Sequence, residues 1–148
     1  MIDKSHIGVV SEERLIDVEK GQLKFFARAT GTCDPIYFDE TAAERAGYPA
    51  LPAPPTFLFS LALGAPAKRG SIFTDMGVDV SRILHGEQSF RHHKPIYAGD
   101  RITLVTETLD IFAKKGGALE FIVQVTRATN QHGEVCASML CTTVVRNG

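Results

Sequence analysis

The chain has 148 residues, 44% hydrophobic and 22% charged, with a formal net charge of -1, the make-up of an ordinary globular domain that needs no disulfide to hold its core. It offers no basic field for nucleic acid, and no apolar run approaches the ~18 residues of a membrane span. Cys33, Cys136 and Cys141 are odd in number and lack CxxC spacing, so reduced core thiols are expected rather than a metal cluster or a secreted disulfide framework.

The N-terminal stretch MIDKSHIGVVSEERLIDVEKG lacks the apolar core of a signal peptide, which predicts a cytoplasmic protein. Residues 1–148 read as one domain. A short strand is expected at Ile7–Val10. A helix opens at Asp17, whose carboxylate can cap the first turn, and carries Leu23, Phe26, Ala27 and Thr30 at helical spacing until Gly31.

Thr32 to Pro35 is a turn, because proline disfavours helix in the residue before it. Asp39 then caps a short helix, ETAAERA, which stops at Gly47. The following YPALPAPP holds four prolines in eight residues and can be neither helix nor central strand, so it forms a stiff extended lead-in. Thr56 to Leu63 is apolar on every side apart from Thr56 and Ser60; as a helix it must be enclosed. Gly64 and Pro66 end it, and residues 67–81 read as a loop or short insertion.

From Arg82 the pattern turns to period two. Leu84, Gly86, Gln88, Phe90 and His92 fall on one face of a strand, with Ile83, His85, Glu87 and Ser89 on the other. Arg101–Phe112 is a second strand whose apolar phase shifts, predicting a bulge near Val105 to Glu107. After a hairpin at Lys114 to Gly117, Leu119, Phe121, Val123 and Val125 alternate with Glu120, Gln124 and Thr126. Asn130 to Gly133 turns the chain into a last strand, Val135 to Val145. The expected architecture is α+β: a curved antiparallel sheet, four of its strands in a meander, wrapped around one buried central helix.

Three runs carry a likeness to a known family: FFARATGTCDPIYFDETAAERAGYPALPAPPTF, SFRHHKPIYAGDRI and NQHGEVCASMLCTTVV. The chain resembles the MaoC-like dehydratases and (R)-specific enoyl-CoA hydratases, and more closely the N-terminal-type MaoC dehydratase domain, from Gly8 to Arg146. The resemblance implies a hotdog fold that forms a homodimer or pairs with a related hotdog subunit. It also implies a part in fatty-acid metabolism, with acyl thioesters of CoA or acyl carrier protein as ligands.

Hydrating an enoyl thioester requires a group that handles a proton from water, and donors that hold the charge growing on the thioester oxygen. The family supplies the first with the Asp and His of an Asp-x-Asn-Pro-x-His turn. Matched residue by residue, this sequence has Thr32 for the Asp, Asp34 for the Asn and Tyr37 for the His. Threonine is no base near neutral pH, and an unshifted tyrosine titrates near 10. The family's oxyanion donor, an amide at the head of the central helix, falls on Pro55, which has none, so Thr56 or Phe57 would have to donate.

Other groups could restore chemistry. Asp34 acts as a base or caps the turn before Pro35, and Tyr37 orients water or thioester or simply packs. His85 faces a partner or the back of the site, or is a structural strand histidine. Beside these three catalytic candidates, Thr32, Pro55, Thr56, Phe57 and His92 are the candidate substrate-binding positions. His92 and His93, with Arg91, Lys94 and Arg101, form a cationic rim for CoA phosphates or mere solvated surface. No cofactor and no metal are implied.

Three functions follow: a hydratase or dehydratase (a hydro-lyase); a non-catalytic, tunnel-forming subunit whose partner carries the Asp/His dyad; or a hotdog thioesterase using Asp39 or Glu44.

Overall fold

In the computed structural model, residues 1–66 and 72–147 are described. Strand β1 (Arg14–Asp17) is followed by helices α1 (Lys20–Ala29), α2 (Glu40–Arg45), α3 (Phe57–Gly64) and α4 (Ile72–Asp75). Strands β2 (Ile83–His92), β3 (Arg101–Lys114), β4 (Leu119–Thr129) and β5 (Val135–Arg146) complete the chain. They form one five-stranded antiparallel sheet in the order β1-β3-β4-β5-β2. The α+β expectation of a sheet curled about a helix holds, but only β3, β4 and β5 form the meander. Strand β2 pairs with β5 at the far edge, so residues 93–100 cross the sheet between its two sides.

The start of α1 differs from expectation. Asp17 is the last residue of β1, where its carboxylate accepts from Arg101 Nε at 2.8 Å across the β1–β3 pair. The helix therefore begins later, at Lys20, with Glu19 at the cap position and no side-chain cap bond. Before β1, Val10 makes only an isolated bridge to Glu107, not a strand. Residues 72–81, expected as loop, hold α4 and the start of a 3-10 turn, Val80–Arg82; the rest of that expected loop, residues 67–71, lies outside the described residues.

Helix α3 lies across the concave face and buries Phe57, Leu58, Leu61 and Ala62. It shares a core with Leu104, Ala128, Ala137 and Met139 of the sheet and with Leu23 of α1. Phe26 of α1 meets Phe57 edge-on at 5.4 Å, so an upstream helix helps to wrap α3. The wrapping is one-sided, however. Leu63 is 73% exposed, and Phe59 and Ser60 are only partly covered. One sheet covers one side of a helix, so the remaining apolar face stays open in a single chain.

The phase of β2 is reset by a bulge between His85 and Glu87. A Cβ on Gly86 would lie 2.8 Å from the carbonyl oxygen of Thr142 and 2.9 Å from Val144 Cγ2, so only glycine fits there. The bulge moves Ile83 and His85 onto the face of Gln88, Phe90 and His92, correcting the sequence reading that set His85 opposite Phe90. In β3 the bulge falls between Thr108 and Asp110, later than expected.

The concave face is apolar at both ends and polar in its middle. One row across four strands reads Gln88, Cys141, Gln124, Thr108. Here Gln124 Nε2 donates to Thr108 Oγ1 at 3.2 Å, and the Thr106 and Thr126 hydroxyls bond at 2.9 Å. Beyond it, Ile111, Ile122 and Val145 form a second cluster with Met76 and Val78. The face of β4 turned inward thus carries Glu120, Gln124 and Thr126, while Phe121, Val123 and Val125 are half-buried on the outside.

Two substitutions test this packing by urea unfolding. Gly86→Ala is expected to cost about 1–3 kcal/mol through the clash with β5. Leu61→Ala, at the centre of the α3 contact, is expected to cost about 2–5 kcal/mol; midpoints unchanged from the native protein would contradict the bulge and the α3 seat respectively.

Candidate functional site

The proline-rich lead-in is a strap tied to the crossing segment 93–100. Ala53 N donates to Ile96 O at 2.7 Å, Ala98 N to Leu51 O at 2.9 Å, and Pro52 bridges Tyr97. The crossing segment is itself anchored on β5, where His93 N and Lys94 N both donate to Cys136 O at 2.8 and 3.0 Å. Because the strap leads straight into α3, these bonds fix where the helix begins.

Beside that head lies a cleft of ≈260 Å³. Tyr37, Tyr48, Pro55, Leu58, His92 and Lys94 are among its walls. Of the sequence-predicted positions the cleft gathers Tyr37, Pro55 and His92, together with His93. Among the described residues no carboxylate lines it.

The other candidates sit around it or apart. Thr32 is half-buried, its amide bonded to Ala27 O at 3.1 Å as the chain leaves α1. Asp34 is exposed, and its Oδ1 accepts from Ile36 N at 3.1 Å, capping the 3-10 turn Pro35–Tyr37. Thr56 occupies the cap position of α3. The Phe57 amide donates to Pro54 O at 2.9 Å, so of the two amides proposed for an oxyanion only that of Thr56 is uncommitted among the described residues. His85 lies further along β2, past Phe90 and Gln88, with its ring edge-on to Phe59 at 5.1 Å.

The cationic rim is divided. His92 stacks on Phe90 at 6.1 Å and Lys94 pairs with Glu134, both at the cleft side. Arg101 pairs with Asp17 and borders a separate depression with Lys20 and Glu40. Among the described residues no cluster of His, Cys, Asp and Glu is placed to hold a metal ion.

All three tyrosines of the chain converge here. Tyr37 and Tyr48 face the cleft, and Tyr48 meets Tyr97 at 6.2 Å. Burial, then the charge of Asp34, then Tyr48, push the Tyr37 phenol above its ordinary 10.0. Burial, Tyr48 and Asp100 do the same for Tyr97. These groups stay protonated near neutral pH, so they donate hydrogen bonds and do not act as bases. The sequence reading passed over Tyr48; its position at the head of the strap, YPALPAPP, is the signal that could have found it.

The curled antiparallel sheet on a central helix, with a cleft at the helix head, is the hotdog fold of the MaoC-like dehydratases and hydratases. The family profile for the FAS1-like, dehydratase domain region matches residues 5–139, and the chain belongs to that family. It is 37% identical over 132 residues to a UPF0336 protein of Saccharopolyspora erythraea, covering 88% of this chain and 81% of that one. Among solved structures it is similar to the C-terminally truncated HadBC (3R-hydroxyacyl-ACP dehydratase) complex from Mycobacterium tuberculosis. That match has a TM-score of 0.78 at 30% identity, over 94% of this chain and 96% of the other. A MaoC-like dehydratase superposes with a TM-score of 0.83 at 26% identity, over 96% of this chain but only 42% of its own.

Two measurements probe the site. In a spectrophotometric titration, phenolate absorbance of the folded protein is expected to rise at higher pH than that of the unfolded chain, and Tyr37→Phe should remove part of the delay. Because the folded-state value is the higher one, the associated stability is complete below the unfolded value and is lost as pH climbs through the folded one. Coincident curves would contradict the burial of these phenols. Asp34→Ala should lower stability by about 1 kcal/mol through loss of the turn cap, with Asp34→Asn retaining most of it.

Proposed function

We propose that this chain is the thioester-binding, tunnel-forming subunit of a two-chain hotdog dehydratase, with the proton-handling Asp and His carried by the partner. The observation that carries the reading is the cleft at the head of α3, walled by phenols, prolines and imidazoles and lacking any carboxylate. The turn that supplies the family's dyad holds Thr32 and Tyr37 instead. His92 and His93 border the cleft but pair with no carboxylate among the described residues, so nothing orients them as a base would be oriented.

The partner is a related hotdog subunit. Support comes from two adjoining features left open by the chain itself. Among the described residues the outer edge of β2 has no strand beside it, and the uncovered face of α3 presents Leu63. A long strand edge next to an apolar helix face invites pairing with another sheet. The structurally similar HadBC protein is itself a complex.

The ligand on this reading is an enoyl or 3-hydroxyacyl thioester of CoA or acyl carrier protein. Its acyl chain lies beside α3 and its phosphates near His92, His93 and Lys94. The free thiols Cys33, Cys136 and Cys141 favour a cytoplasmic setting. Among the described residues no helix is long and apolar enough to cross a membrane.

The test is an assay of the purified chain with crotonyl-CoA, following both the double bond and free thiol. The expected result is no turnover by the chain alone, and hydration on adding a hotdog chain that bears an intact Asp-x-Asn-Pro-x-His turn. Hydration by the chain alone would overturn the non-catalytic role in favour of a self-contained set drawn from Asp34, Tyr37 and His85. Thiol release would point to hydrolysis by Asp39 or Glu44, although Asp39 already caps α2 by accepting from Thr41 N at 2.8 Å.

A further inference from the structure

We propose that the phenols of Tyr48 and Tyr37 together bind the carbonyl oxygen of the thioester, supplying the donors that the head of α3 cannot. The inference rests on the thioester-binding reading and extends it to residues that the family's pattern does not use. An oxyanion seat needs donors aimed at one point before the ligand arrives. The backbone here offers few: Pro55 has no N–H, and Phe57 gives its own to Pro54 O at 2.9 Å. Thr56 is left, and it is not among the residues that line the cleft.

The two phenols fill that gap. Both rings line the same cleft wall as Pro55 and Leu58. Neither hydroxyl bonds to another group among the described residues, and neither is a sealed-in orphan, so both are available to a ligand in the cleft that their residues line. Each ring is held from behind. Tyr48 packs against the α3 core and leans on Tyr97 at 6.2 Å, and its amide donates to Ala43 O at 3.0 Å. Tyr37 ends the 3-10 turn that Asp34 caps.

Asp34 gains a role in this arrangement without touching the ligand. Its negative charge, after burial, further disfavours the Tyr37 phenolate, a group already a donor near neutral pH. The seat holds charge on an oxygen but moves no proton, which matches a subunit that binds for a catalytic partner.

The test is isothermal titration calorimetry on the full chain with two probes: crotonyl-CoA, and butyl-CoA thioether, which keeps the sulfur and lacks the carbonyl. The native protein is expected to bind crotonyl-CoA about tenfold more tightly than the thioether. Tyr48→Phe should erase that preference while leaving thioether affinity unchanged, Tyr37→Phe should reduce it, and Tyr97→Phe should leave it intact. Thermal melts followed by circular dichroism confirm that each variant is folded. Equal weakening of both probes by Tyr48→Phe would make the residue a packing element and overturn the inference. So would full retention of the preference in both Tyr48→Phe and Tyr37→Phe, or a native protein that binds the two probes alike; in either case the thioester-binding reading would survive. A native protein that binds neither probe would overturn that reading itself.

Discussion

The structure depends on the contact between one face of α3 and the concave side of the sheet. Phe57, Leu58, Leu61 and Ala62 are all buried in it, in one core with residues of β3, β4 and β5 that Leu23 of α1 and Leu51 of the strap also join. A helix this short has little stability of its own and is held by that packing. Its position then settles the site. The strap enters at Pro52 to Pro55, locked to the segment crossing from β2 to β3, and the cleft forms where strap, crossing and helix head meet.

The sheet beneath α3 is built in zones. A polar row runs between two apolar clusters; Gln124 pairs with Thr108 and Thr106 with Thr126 across strands, while Gln88 Oε1 is buried without a partner among the described residues. The bulge at Gly86 matters more than its size suggests. By adding one residue to β2 it sets His85 on the face of Gln88 and Phe90, beside Phe59 yet still exposed, whereas a regular strand would have set it on the opposite face. The same strand presents its free edge to the outside, so one element serves core, cleft and candidate interface.

The cleft at the helix head is walled by two phenols, prolines, imidazoles and a lysine, and among the described residues no carboxylate lines it. Burial raises the Tyr37 phenol above its ordinary range, so that group meets the cleft as a neutral one. By the resemblance to the family, the positions of its proton-handling pair hold Thr32 and Tyr37 here, and on the proposed reading a second chain completes the reaction.

Much of this was legible in the chain. The apolar run 56–63, the proline-rich lead-in, the Asp39 cap and the glycine at 47, with φ +89, all sit where local rules put them. So did the replacement of the dyad by Thr32 and Tyr37, because that is a matter of residue identity. Tertiary structure decided the rest. The carboxylate of Asp17 went to Arg101 across strands and not to a helix cap; β2 joined β5 and not β3; and Gln124 and Thr126 of β4 turned inward where Thr108 and Thr106 of β3 satisfy them. The convergence of Tyr37, Tyr48 and Tyr97 and the open side of α3 are products of distant segments meeting. Local sequence sets what each segment can form, but which partner wins a carboxylate, a strand edge or an apolar face is a competition between contacts remote in the chain, resolved only when the whole domain packs.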